Sequence, residues 1–205
     1  GLDIYGPKVL VRQFDLPRLK AGELKNALQL EAVELMHLKP EEIELDYQVL
    51  YSSKDKAEGI FVALPKKLLV EYIASCESAG FSLTQVSARI CSAVNSFLSR
   101  SKIESNTFGL LIFSPKNIIY LAGFDNYHCL LLREINYENL DDAAQEIIES
   151  LRYFFGKSLS KELSEVHICG ELQDKDILIA KLEKELNINT QCNRAMANLQ
   201  DVCPA

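Results

Sequence analysis

The spacing of hydrophobic positions changes along the first 64 residues, and each spacing is typical of one kind of element. Val9–Phe14 is rich in strand-forming residues, and from Ala21 to Met36 most apolar residues fall on one helical face until Pro40 ends the run. Leu45–Tyr51 alternates in the manner of a half-buried strand, and Gly59–Leu64 is a short continuous apolar run. Residues 1–64 therefore predict a strand–helix–strand–strand subdomain.

Residues 65–103 predict a helix, a brief strand and a second helix. Pro65 suits the first position of a helix, because its missing N–H is not needed there, and Gly80 supplies the C-terminal stop. A strand is expected at Leu83–Val86, and an amphipathic helix follows it through Leu98. The polar segment Lys102–Asn106 then predicts a domain boundary.

The remaining residues, 104–205, are predicted in the order βββαβαβ. Because crossover connections between parallel strands are right-handed, this order predicts a mixed sheet with helices packed on its faces, which is an α/β fold class. The predicted strands are Phe108–Phe113, Ile118–Ala122, His128–Ile135, Val166–Cys169 and Asn189–Gln191, and the predicted helices are Leu140–Phe155 and Asp174–Leu186.

The composition, with 48% hydrophobic and 25% charged residues, is that of an ordinary globular protein. The net charge of −7 lies entirely after residue 103, since the earlier residues carry equal numbers of acidic and basic side chains. An acidic surface repels phosphate backbones, which argues against nucleic acid as a partner. No apolar run approaches the roughly 18 residues of a membrane helix and no signal-peptide pattern is present, so direct membrane insertion is not expected.

The six cysteines are scattered along the chain, and none belongs to a CxxC pair. Several lie in apolar runs, where a free thiol behaves as a small hydrophobic group. A disulfide framework is not expected in a chain of this size. The cysteines therefore predict a reducing, cytoplasmic location; they are Cys76, Cys91, Cys129, Cys169, Cys192 and Cys203.

Residue types that catalyse reactions or bind metals occur singly. His37, His128 and His167 have no HxH or HExxH spacing, and His128 and Cys129 would point to opposite faces of a strand. No GxSxG or Cys/His nucleophile signature is present. The sequence therefore predicts no catalytic residue and no metal site.

The order βββαβαβ is that of the half-unit of the ribonuclease-H-like, actin-like nucleotide-binding fold, and the first half of the chain carries a more specific resemblance. The segments that carry it are Val9–Pro17, Glu23-Leu24, Leu28–Glu31, Leu38–Leu50, Phe61–Lys67 and Val70–Gly80. They resemble the type IV pilus assembly protein PilM family, which is related to the cytoplasmic part of the type II secretion protein GspL. That resemblance implies an actin-like half domain with an inserted strand–helix–strand–strand subdomain.

The resemblance also locates the family's ATP-binding elements, and those present in this chain are degenerate. Phe113 and Pro115 stand where the second phosphate motif has a metal-binding aspartate and backbone amides. Gly170 and Glu171 stand at the Gly-Gly turn near the adenosine, where a carboxylate is unfavourable beside an anionic ligand. The first phosphate loop and a final helix of the family have no counterpart, so a fragment or shortened homologue is expected. We therefore expect no ATP or Mg²⁺ cofactor and no ATPase activity, unless a longer protein completes the site.

For function, the resemblance implies a non-catalytic cytoplasmic scaffold of the pilus inner-membrane platform, held at the inner membrane through a partner. The partner would be the short cytoplasmic tail of a bitopic PilN-type membrane protein, and homo-oligomers are compatible with this role. The alternatives are a GspL-like domain of a type II secretion system, or an actin-like ATPase completed by residues outside this chain. The candidate partner-binding residues are Arg12, Leu16, Pro17, Leu24, Leu28 and Glu31.

Arg12 and Asp46 allow a further interpretation, because they lie on the two strands that flank the first predicted helix. A cross-strand ion pair between them would fix the register of the sheet. The alternative is an ordinary surface pair, which contributes about 0–1 kcal/mol.

Overall fold

The computed structural model describes residues 1–100, 107–114, 118–125, 128–157, 162–170 and 175–186. The chain divides into two compact units, Gly1–Ala93 and Val94–Ala205, and the division falls before the polar segment where the sequence predicts a boundary. The elements are β1 (Leu2–Ile4), β2 (Leu10–Pro17), α1 (Ala21–Met36), a 3-10 turn (Pro40–Glu42), β3 (Ile43–Ser52), β4 (Lys56–Pro65), α2 (Lys66–Ser78), β5 (Val86–Ala88), α3 (Arg89–Arg100), β6 (Thr107–Ser114), β7 (Ile118–Asp125), β8 (His128–Asn136), α4 (Leu140–Lys157), β9 (Glu162–Gly170) and α5 (Lys175–Leu186).

The predicted order strand, helix, strand and strand is found from Leu10 to Pro65 as a three-stranded antiparallel sheet in the order β2-β4-β3, with α1 packed on one face. Buried residues of the helix meet alternate residues of all three strands, as a half-covered sheet requires. The buried side chains of this core are Phe14, Leu24, Leu28, Ala32, Ile43, Leu45, Ala57, Phe61 and Ala63.

Gly59 is the point of closest approach in this sheet. A Cβ atom at Gly59 would lie 2.5 Å from Cζ of Phe14 and would also overlap the carbonyl oxygen of Gln48. The Phe14 ring therefore packs over the bare backbone of the central strand. The register of β3 against β4 shifts between Val49 and Tyr51, immediately after the residue opposite Gly59.

A two-stranded parallel sheet, β1 with β5, completes the described strands of the first unit. Strand β1 was not predicted, because three residues are too few to give a periodic signal. Strand β5 begins at Val86, where the predicted strand Leu83–Val86 ends, and its register is the one in which it pairs with β1. The hydroxyl of Ser92 donates a hydrogen bond to Asp3 Oδ1 at 2.7 Å, which ties α3 to β1. The guanidinium of Arg89 lies 3.7 Å from the centre of the Tyr5 ring.

The second unit contains a mixed sheet in the order β8-β7-β6-β9, in which β6 pairs antiparallel with β7 and parallel with β9. The predicted order of three strands, helix, strand and helix is confirmed, and the predicted strand Asn189–Gln191 lies outside the described residues. Buried residues of α4 and α5 pack against β7, β8 and β9. This core comprises Ile119, Leu121, Ile135, Ala143, Ala144, Ile147, Ile148, Leu151, Ile168, Leu178 and Leu182.

Polar contacts fix helix α4 in this unit. Asn139 Oδ1 accepts a hydrogen bond from the Asp142 amide at 2.9 Å, which caps the start of the helix. The buried hydroxyl of Ser150 accepts a hydrogen bond from Arg133 of β8 at 2.8 Å and donates one to the carbonyl oxygen of Glu146 at 2.6 Å. Its burial is therefore compensated. No helix among the described residues is long and apolar enough to span a membrane.

We expect Gly59→Ala to lower the free energy of unfolding by about 1–3 kcal/mol, since the added methyl group must displace the Phe14 ring or the backbone of β3. Gly22→Ala is the matched control. Nothing lies within 4 Å of a Cβ there, so the change should leave stability unchanged or raise it by up to about 1 kcal/mol. Urea denaturation of both variants measures the difference, and a Gly59→Ala protein as stable as Gly22→Ala would contradict the close approach.

Candidate partner-binding site

The boundary between α1 and β2 holds a half-buried pair of opposite charges. The register of β2 with β4 places Arg12 opposite Phe61 and Phe14 opposite Gly59, so Arg12 lies on the face of the sheet that α1 covers. The Arg12 guanidinium interacts electrostatically with Glu31 of α1. Both side chains are only partly removed from solvent. The pair therefore lies at the rim of the core rather than inside it.

Burial against the sheet raises the pKa of the Glu31 carboxyl above its ordinary value. The Arg12 guanidinium opposes this shift in pKa, and the nearby carboxylate of Glu34 adds a smaller increase. Arg12 thus compensates only part of the cost of burying the Glu31 carboxylate. A partly buried charge with an unbalanced environment is typical of sites that recognise another group.

Two further predicted positions are accessible farther along β2. Leu16 is half-buried at the edge of the core, and Pro17 is exposed at the end of β2 opposite Lys56. Strand β2 pairs only with β4 among the described residues, so its other edge is open to an extended segment. The structure therefore brings Arg12, Leu16, Pro17 and Glu31 to the β2 side of the subdomain.

Leu24 and Leu28 do not belong to this surface, and their prediction as partner-binding residues is wrong. They are 3% and 0% exposed, respectively, and pack against the sheet in the core. A partner cannot contact them while α1 covers the sheet. Helical periodicity identified the face of α1 that is buried, whereas the residues at the rim of that face remain accessible.

The predicted ion pair between Arg12 and Asp46 is also wrong. Strand β4 lies between β2 and β3, and Asp46 is opposite Val62 whereas Arg12 is opposite Phe61. Consecutive residues of a strand point to opposite faces, so the two side chains lie on different faces of the sheet. Sequence reasoning missed that Glu31 is the acidic residue that interacts with Arg12, because nothing in the sequence gives the order of the strands.

Two of the four positions that the resemblance aligns with nucleotide-binding motifs, Phe113 and Gly170, lie on neighbouring strands of the second unit. Phe113 and Gly170 are at or next to the ends of the parallel strands β6 and β9, whose register aligns Phe113 with Cys169 and Ser114 with Gly170. Ligands of open α/β sheets bind at this edge. Pro115 and Glu171 lie outside the described residues.

Cysteine and metal chemistry receive no support from the described part of the chain. Cys76, Cys91 and Cys129 form no disulfide within the described residues, and burial, with a smaller contribution from Asp3, raises the pKa of Cys91 to about 11. A thiol with that pKa stays protonated at neutral pH and is a poor nucleophile. Within the described ranges, no group of three or more His, Cys, Asp or Glu side chains is arranged to hold a metal ion.

No family model matches the chain, and no curated protein matches it. Among solved structures, the chain is similar to one titled as a PilM–PilN type IV pilus biogenesis complex, with a TM-score of 0.71 and 14% identity over 89% of this chain. It is also similar to a Bacteroides thetaiotaomicron protein described as having an actin-like ATPase fold and unknown function. That likeness has a TM-score of 0.57 and 19% identity, and it covers 94% of this chain and 70% of the other.

The cytoplasmic domain of EpsL, an inner membrane component of the Vibrio cholerae type II secretion system, is more remote. Its TM-score is 0.47 with 12% identity, over 82% of this chain and 59% of the other. The chain spans 65% of the length of the PilM–PilN structure's chain that it matches, less than two thirds. At these identities the likeness shows the fold alone, and it confirms the predicted fold class: the chain has an α/β, actin-like fold.

Proposed function

We propose that this chain is a non-catalytic scaffold of a type IV pilus assembly platform, or of a related secretion system, and that it binds the cytoplasmic tail of a PilN-type membrane protein. The observation that carries the proposal is the shared fold with the structure of the PilM–PilN complex. The half-buried pair of Arg12 and Glu31 beside the open edge of β2 supplies a surface suited to a short peptide.

The physical basis of binding would be the addition of an extended segment at β2. Main-chain hydrogen bonds to an open strand edge supply affinity, and side chains on alternate positions supply specificity. An apolar residue of the tail would contact Leu16, and a charged residue of the tail would interact electrostatically with Glu31 or Arg12. Recruitment to the inner membrane would then be indirect, because the membrane-spanning segment belongs to the partner.

The proposal includes the absence of ATP hydrolysis and of a bound nucleotide. Phe113 offers no oxygen to a metal ion, and Pro115 has no N–H for a phosphate. Glu171 beside Gly170 would repel an anionic ligand. A scaffold needs only the rigid sheet and its edges, which the fold retains.

A synthetic peptide with the cytoplasmic tail sequence of the PilN-type protein from the same genome should bind this chain with micromolar affinity in isothermal titration calorimetry. Arg12→Ala and Glu31→Ala should each weaken binding at least tenfold, about 1.4 kcal/mol, because each leaves one half-buried charge without its partner. Lys25→Ala, at an exposed position of the same helix, is the control and should bind as the unmodified chain does.

Undetectable binding to the unmodified chain would refute the tail-binding proposal. Equal affinities for all three variants would refute the location of the site instead. Circular dichroism of each variant verifies that the sheet and α1 are intact, because Arg12 and Glu31 are both partly buried at the rim of the core.

Mg-ATP should produce no thermal shift in this chain. A nucleotide at one hundred times its dissociation constant would stabilise the protein by about 2.7 kcal/mol, which a thermal-shift titration detects readily. The same titration on a longer form of the protein tests whether residues outside this chain complete the site. A shift in this chain itself would show that the positions of Phe113, Pro115 and Glu171 do not prevent nucleotide binding.

A further inference from the structure

The second edge of the three-stranded sheet belongs to β3, on the side away from β2. Strand β3 pairs only with β4 among the residues that the structure describes. The amide of Tyr47 donates a hydrogen bond to Oδ1 of the preceding residue, Asp46, at 2.9 Å. The carbonyl oxygen of the next residue, Gln48, lies against Gly59 of β4. Because consecutive residues of a strand direct their backbone groups to opposite edges, the Tyr47 N–H is directed to the open edge. Because ladder bonds alternate along an antiparallel pair, the amide of Val49 has the same direction.

The side chains on this edge divide by face. Glu44, Asp46 and Gln48 are exposed on the face away from α1. Val49 lies on the face that α1 covers, opposite Gly59, yet it is 40% exposed. Beyond the register shift, Tyr51 is opposite Glu58 and is 55% exposed. The edge thus offers open backbone groups, acidic side chains on one face and apolar surface near its end.

The charged side chains in and around β3, from residue 41 to residue 53, are all acidic. Residues 41–53 contain four acidic side chains and no lysine or arginine, and all four acidic residues are exposed. Like charges on paired strands are destabilising, so this edge disfavours pairing with the same edge of a second copy. A strand that carries basic side chains on one face has the complementary charge.

We propose that the open edge of β3 is a docking site for an extended, basic segment of another protein, in which lysine or arginine alternates with apolar residues. Carbonyl groups of the segment would accept hydrogen bonds from the amides of Tyr47 and Val49. The Asp46 carboxylate is then released from the Tyr47 amide and pairs, with Glu44, with basic side chains on the same face. Apolar residues on the other face of the segment contact Val49. The site is separate from the one proposed at β2.

A fluorescein-labelled eight-residue peptide of alternating arginine and valine tests this proposal by fluorescence anisotropy. We expect saturable binding that weakens as salt is raised, because the paired charges are exposed. The double variant Glu44→Gln/Asp46→Asn should bind at least tenfold more weakly. Glu71→Gln/Glu77→Gln, which removes the same charge from exposed positions of α2, should bind as the unmodified chain does.

Two further measurements separate strand addition from general charge attraction. The same peptide N-methylated at the alternate amides that face β3 keeps its charge but cannot donate hydrogen bonds to the β3 carbonyl groups. Its methyl groups also block the close approach of the two backbones, so it should not bind. Hydrogen exchange should slow at the amides of Tyr47 and Val49 when the unmodified peptide binds. Equal binding of the methylated peptide, or equal weakening in both double variants, would overturn the proposal. Self-association of this chain, detected by sedimentation and accompanied by slower hydrogen exchange at the amides of Tyr47 and Val49, would also overturn it and assign the edge to a second copy.

Discussion

Strand β4 lies between β2 and β3, and its hydrogen bonds to both neighbours decide which residues of the first unit are buried and which can meet a partner. One face of the sheet is covered by α1, and the close packing of Phe14 on Gly59 fixes β2 against the central strand. With β4 in the middle, both β2 and β3 end as edges in the described structure. Edges of natural sheets usually carry charges that disfavour indiscriminate pairing, and such an edge can still accept a partner strand of complementary charge.

The two edges differ in charge. Residues 8–20, around β2, contain four basic side chains and one acidic one, whereas residues 41–53, around β3, contain four acidic side chains and no basic one. A segment that suits one edge therefore does not suit the other. The Glu31 carboxylate near β2 is the exception, and its raised pKa reflects burial that Arg12 only partly offsets. A partly buried carboxylate whose burial is only partly offset does not stabilise the fold. It can instead discriminate between partners that bring a complementary charge and partners that do not.

Much of this fold was predictable from hydrophobic spacing, and what was not predictable required the order of the strands. Helix α1 has the predicted limits because its apolar face is continuous and Pro40 lies just beyond it. The strand β1 was missed, since three residues carry no measurable period. Of the candidate partner-binding residues, Leu24 and Leu28 were misassigned because periodicity identifies buried positions. Arg12 was paired with Asp46 because both flank α1 in sequence, but β4 separates them in the sheet.

The three-strand width of this sheet has a consequence for a scaffold. Neighbouring strands are about 4.8 Å apart, so the β2 and β3 edges are separated by only about 10 Å across β4. Segments added at both edges would extend one sheet from three strands to five, with no overlap between them. Two partners could then be held at a short, fixed distance, because the ladders on both sides of β4 and the packing of Phe14 on Gly59 resist shear. No catalytic step is needed for that role. That role requires instead a central strand that is hydrogen-bonded to both of its neighbours. Strand β4 pairs with β2 along the whole length of β2.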